Sequence, residues 1–150
     1  MSGLMMGIAP AKASASGRPA DMPWLSPFLT VQDARTSLKF YEDAFGFAPR
    51  ETKVGPDGLI YQAAMNWRDA VILFGPKDPE SGNARPGSSR AAGHASTLYV
   101  YCDDVDAFYA RAMAAGATSA FKPMDASWGD RICKLIDPDG HAWNFAARLG

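Results

Sequence analysis

Phe28-Leu29-Thr30-Val31-Gln32-Asp33 leads into a helical run that closes at Gly46, and Cys102-Asp103-Asp104 leads into a second that closes at Gly116. The two capping aspartates stand 71 positions apart (104 − 33). The same offset carries the turn Asn66-Trp67-Arg68-Asp69 onto the turn Asp137-Pro138-Asp139-Gly140. The chain is therefore written twice, each copy reading strand, helix, then three strands. A module of this size buries one sheet face under its own helix and needs a second layer for the other. The repeat thus predicts an α+β fold: two βαβββ modules forming an eight-stranded, curved mixed sheet around a cleft.

Working outward, Phe28–Gln32 is β-prone, and Asp33 suits an N-cap, its carboxylate accepting from a free first-turn amide. Leu38, Tyr41, Ala44 and Phe45 recur at helical spacing. Strands are expected over 50–54, 59–65 and 70–74, with Gly55-Pro56-Asp57-Gly58 as the first turn. The second copy gives a strand over 96–102, a helix over 105–115, a strand over 117–122 and a loop over 123–129. A hairpin over 131–136 and 141–146 closes it. Residues 76–93 are dense in Pro, Gly, Ser and Asn and read as a linker, with a flap over a site as a further role. The expected domain is 22–149, with modules 24–75 and 94–149. Residues 1–21 read as an N-terminal extension without the basic start and long apolar core of a signal peptide.

Composition excludes several classes. With 15 basic and 16 acidic residues the net charge is −1, so no long-range field draws the chain to nucleic acid or an anionic membrane. No apolar run spans a bilayer. Two cysteines, Cys102 and Cys133, give neither a disulfide framework nor a metal spacing, and read as buried thiols of a cytoplasmic protein. No Ser-His-Asp order, phosphate loop or dinucleotide fingerprint is present.

Phe28–Phe47, FLTVQDARTSLKFYEDAFGF, and Trp128–Ala146, WGDRICKLIDPDGHAWNFA, resemble the opening strand and helix and the closing hairpin of the vicinal oxygen chelate superfamily. That superfamily holds glyoxalases, extradiol dioxygenases and bleomycin-resistance proteins, and the closing hairpin is similar to the bleomycin-resistance-like branch. Most of its enzymes hold a divalent metal with four side chains, one pair per module. The resemblance puts the first ligand seven residues before the capping Asp, and the last four residues after the turn Gly. Here those positions, with their repeat mates, are Ser26, Leu73, Thr97 and Asn144. Ser, Thr and Asn are weak neutral ligands and Leu is none, so no metal and no other cofactor is expected.

His141 reads as a turn-associated residue that hydrogen-bonds the loop, and His94 as an exposed linker residue. Asp137 and Asp139 read as turn residues, not an acid pair. Strand alternation places Thr97, Tyr99 and Tyr101 on one face, and Asn144 opposite in sense to Trp143 and Phe145. Ser26 pairs with Phe28 in the same way, and Leu73 with Val71. Trp67, Trp128, Trp143 and Tyr61 add flat rings able to stack a planar ligand. Asp130 or Arg131 is expected at the cleft rim, where the pair binds a charged ligand group or else forms a surface ion pair of little worth. The predicted ligand-binding set is Ser26, Phe28, Leu73, Thr97, Tyr99, Trp128 and Asn144.

The resemblance then implies a metal-independent protein that binds an antibiotic-like or planar hydrophobic small molecule, as a homodimer with no nucleic-acid or membrane partner. Its rival is a lyase, isomerase or dioxygenase with a relocated metal, or with Tyr101 as catalytic acid or base. A regulatory module with an empty cleft is the third class.

Overall fold

The computed structural model describes residues 17–77 and 96–150. His94, most of the expected linker and residues 1–16 of the expected extension lie outside them. The first module runs β1 (Phe28–Val31), α1 (Ala34–Phe45), β2 (Ala48–Val54), β3 (Ile60–Trp67) and β4 (Ala70–Pro76). The second runs β5 (Thr97–Tyr101), α2 (Val105–Ala114), β6 (Thr118–Asp125), β7 (Asp130–Ile136) and β8 (Ala142–Arg148). The α+β class and the βαβββ repeat are as the sequence predicts. The eight strands form two four-stranded sheets, ordered β1-β4-β3-β2 and β5-β8-β7-β6. In each, the first strand pairs parallel to the last, Phe28 with Leu73 and Tyr99 with Asn144.

Two strands run past the limits that their prolines suggest. β2 begins at Ala48 and β6 reaches Asp125, so both run through a proline, Pro49 and Pro123. Both are edge strands, and register shifts fall between Pro49 and Glu51 and between Phe121 and Met124. A proline lacks the ladder donor but is tolerated on an edge or at a bulge. The caps also differ from expectation. Asp104 accepts from Ala107 N at 3.1 Å, whereas Asp33 makes no side-chain bond to a first-turn amide. Its carboxylate takes the Thr36 hydroxyl instead, at 2.6 Å, which holds it below the usual carboxylate range. Gly46 ends α1 with φ at 71°, the left-handed region where a side chain is disfavoured.

The modules are joined through their helix-bearing faces. Phe45 of α1 meets Phe108 of α2 and Trp143 and Phe145 of β8, with ring centroids 5.9, 5.3 and 4.7 Å apart. Val31, Met65, Phe74, Val105 and Leu135 belong to the same buried cluster. Trp67, partly buried, packs against this cluster on Phe47 and Phe108, so one side of its ring belongs to the core.

The second-module turn bolts this core shut. Asp137, buried, accepts Tyr41 Oη at 2.7 Å and Trp143 Nε1 at 3.0 Å on one oxygen. Its other oxygen takes the amides of Asp139 and His141, at 3.0 and 2.9 Å. Asp139 accepts Gln32 N at 2.9 Å, and the His141 ring lies 2.7 Å from Thr30 O. The expected turn residues thus also clasp β1 and α1. Burial raises Asp139 above the ordinary carboxyl range and pushes the Tyr41 phenol well up.

Cys102 and Cys133 lie buried in the core, where loss of solvent pushes each thiol up to about 11. A thiolate is the reactive species. Neither should react with Ellman's reagent at mildly alkaline pH until denaturant is added. Rapid reaction of the native protein would contradict this packing.

Candidate functional site

Because the helix-bearing faces meet inside the chain, the opposite faces of both sheets look away from the main core, and on the second of them Ala126, Ile132 and Ala146 form a smaller buried cluster. Alternation assigns the residues to them. In β5, Leu98 and Val100 pack on the core, leaving Thr97, Tyr99 and Tyr101 outside. In β8, Trp143 and Phe145 point to the core and Asn144 away. In β1, Leu29 and Val31 point inward, so Ser26 and Phe28 share the other face with Leu73. One chain therefore splits the predicted set. Ser26, Phe28 and Leu73 lie on the first sheet. Thr97, Tyr99, Tyr101, Trp128 and Asn144 lie on the second.

The second sheet carries the built arrangement. Tyr99 and Tyr101 both donate to Asp130 Oδ2, at 2.7 and 2.8 Å. Their rings stand edge to face, 5.6 Å apart. They reach β7 across β8 because the intervening β8 residue is Ala146, paired with Tyr101 on one side and Ile132 on the other. A larger side chain there would block the phenols. Asp130 is only 1% exposed despite starting a strand. Arg148 Nη1 donates to its other oxygen at 3.1 Å and to Trp128 O at 2.8 Å. Gly129, at φ 94°, bends the loop so that Trp128 folds over the face. A Cβ at Gly129 would come 2.9 Å from Arg148 Nη1. Trp128 Nε1 then donates to Tyr99 Oη at 3.0 Å, with the indole 57% exposed.

The expected Asp130-Arg131 rim pair does not form. Consecutive strand residues point to opposite faces, so Arg131 leaves toward Asp106 and Asp125, at 2.7 and 2.9 Å. Asp130 turns to the tyrosines. Sequence reading placed Asp130 at the cleft with the wrong partner and missed Arg148. The signal was present: Asp130 alternates with Ile132 and Lys134, and Arg148 with Asn144.

The electrostatics follow from the bonds. The Tyr99 and Tyr101 hydroxyls hold the Asp130 carboxyl below its usual range, and Arg148 adds to this. In return Asp130 raises Tyr101, while loss of solvent and then Asp130 raise Tyr99. Tyr101 therefore keeps its proton at neutral pH and donates a hydrogen bond with it to the Asp130 carboxylate. That arrangement suits a ligand-orienting phenol better than a base, which must be unprotonated to work. The carboxylate contributes stability above the ordinary Asp range and loses it as pH falls through the lowered folded-state value. The phenols contribute below the ordinary Tyr range and lose it as pH rises through the raised one. In an alkaline titration followed by phenolate absorbance, Asp130→Asn should move the Tyr101 step downward. An unchanged step would contradict the assignment.

A pocket of about 350 Å³ adjoins this face, lined by Trp67-Arg68-Asp69-Ala70 and by Tyr99 to Asp103. Of the predicted residues it takes in Tyr99 and Tyr101. At its wall Trp67 Nε1 donates to Tyr101 O at 3.0 Å, and Arg68 pairs with Asp103 at 2.8 Å.

The four positions that the fold would give to a metal do not fit one. They are split between the two open faces, and they supply two hydroxyls, one amide and one alkyl chain. Among the described residues no three or more His, Cys, Asp or Glu side chains gather as a ligand set. Two of those positions carry a different signature: Ser26 Oγ and Asn144 Oδ1 are buried without a hydrogen-bond partner among the described residues.

Two repeated βαβββ modules with their site positions on matching strands define a class of fold, and comparison gives the family. Residues 23–145 match the model of the Glyoxalase/Bleomycin resistance protein/Dioxygenase superfamily, and the chain belongs to it. An uncharacterized protein of Mycobacterium bovis is 34% identical over 124 residues, 82% of each chain. Among solved structures, TioX from Micromonospora superposes with a TM-score of 0.67 at 23% identity, covering 83% of this chain and 98% of its own. A glyoxalase/bleomycin resistance protein from Streptomyces gives 0.60 at 26% identity, covering 81% and 97%.

Proposed function

We propose that this protein binds a planar, largely hydrophobic small molecule without a metal and without chemical change, on the face formed by Tyr99, Tyr101, Trp128 and Asn144. The observation that carries this reading is the tyrosine–Asp130 network. Its protons are committed within the protein, while its rings and the Trp128 indole are left available for stacking. Aromatic rings with a few fixed polar groups are the usual lining of a small-molecule site. The family takes in bleomycin resistance proteins, and the Streptomyces neighbour is a glyoxalase/bleomycin resistance protein, which is consistent with a sequestering role.

The protein acts as a homodimer in this reading. Ser26, Phe28 and Leu73 occupy one open face and Thr97, Tyr99 and Asn144 the other. A second copy that lays its first sheet over the second sheet of its partner makes one cleft from both sets. Neutral chemistry at all four repeat positions fits a binder that holds no metal there.

The test is incubation with a panel of planar aromatic compounds, followed by sedimentation and by mass analysis of recovered ligand. One unaltered ligand per site on a dimeric protein is the expected result. Turnover of a compound, or a monomer that binds at full strength, would contradict the reading.

A further inference from the structure

The hydrogen-bond polarity of the tyrosine face narrows the ligand. Both phenol protons go to Asp130, the Trp128 proton goes to Tyr99, and Arg148 is engaged by Asp130 and Trp128 O. At the two phenols what remains open is acceptors, while the Asn144 amide nitrogen and Lys134 are donors beside them. Tyr101 Oη keeps its lone pairs, and Tyr99 Oη keeps one beyond the indole bond. Each phenol that donates to a carboxylate becomes a better acceptor, since successive bonds polarise one another. Asn144 stands beside Tyr99 in the β5–β8 register, and its Oδ1 is buried without a partner among the described residues. An unmet buried acceptor is costly to leave so. Lys134 lies opposite Asn144 on the same face, which disfavours a cationic ligand group there.

We infer that this face selects a planar ligand through a neutral O–H or N–H donor, directed at the row formed by Tyr101 Oη, Tyr99 Oη and Asn144 Oδ1. The inference rests on the ligand-binding reading above and adds the chemistry of recognition. A planar ligand carrying only acceptors stacks equally well but leaves the row unmet.

The test uses β-naphthol and its methyl ether, which differ only by a methyl group in place of the donated hydrogen. Calorimetric titration of the intact protein should show β-naphthol binding tighter by roughly five- to tenfold, the worth of one neutral hydrogen bond in a partly buried site. Asn144→Leu should remove most of that preference. Tyr101→Phe, on an exposed ring that the core does not need, should reduce it and serves if the buried variant fails to fold. Equal affinity for the two probes overturns this inference while leaving ligand binding intact, as does a preference that survives both substitutions. Failure of both probes to bind overturns the ligand-binding reading and this inference with it.

Discussion

Asp137→Ala should destabilise the protein by about 3–5 kcal/mol, because it orphans several buried donors at once. The carboxylate satisfies the Tyr41 hydroxyl, the Trp143 indole and the amides of Asp139 and His141. None of these gains a new partner when the side chain is truncated, and Tyr41 and Trp143 are essentially closed to water. Asp137→Asn should cost less, about 2 kcal/mol. Its one oxygen still accepts two donors, and its amide nitrogen then faces donors on the other side. The phenol can rotate its hydrogen away, but the indole cannot. Urea denaturation of the three proteins should show that order of midpoints. A loss below about 1 kcal/mol for Asp137→Ala would mean that the turn does not clasp the modules.

Phe45→Ala has the second large effect, about 3–5 kcal/mol for a buried aromatic truncated to alanine. Phe45 is fully buried where α1, α2 and β8 converge, against Phe40, Tyr41, Phe47, Phe108, Trp143 and Phe145. The cavity cannot close, since rigid rings wall it on every side. Phe28→Ala removes a ring of the same size from a residue 44% exposed on an open face. Its cost should stay near 1 kcal/mol or below. Similar losses for the two variants, read by thermal and urea unfolding, would contradict the placement of the core.

The contrast between those phenylalanines shows what the sequence made legible. Spacing and alternation separated Phe45, Trp143 and Phe145 from Tyr99, Tyr101 and Asn144, because period and pleat are local properties of the chain. The offset between repeats located the four ligand positions for the same reason. Three other features depend on what meets across space. Trp67 lies at a turn, yet Phe47 and Phe108 draw one side of its ring against the core. Asp130 looked like a surface partner of Arg131, and only the β7–β8 register with Ala146 between the strands brings it under the tyrosines. The division of the site between two open faces follows from which faces of the modules pack together, and a repeat alone leaves that choice open. Asp137 was rightly read as a turn residue. Its second role needed Tyr41, far away in sequence, to come within 2.7 Å.

The chemistry at the repeat positions is also more specific than the replacement of ligands suggests. Ser26 and Asn144 keep polar atoms buried and unmet, whereas Leu73 supplies alkyl surface. On the proposed reading, a site of that kind discriminates by shape and hydrogen bonding and requires no divalent ion to do so.

Calorimetric titration with β-naphthol, in the presence of EDTA and again with divalent zinc or magnesium, tests that claim most directly. The account predicts the same affinity and one ligand per site in both. Binding that vanishes with the chelator and returns with the metal would contradict it.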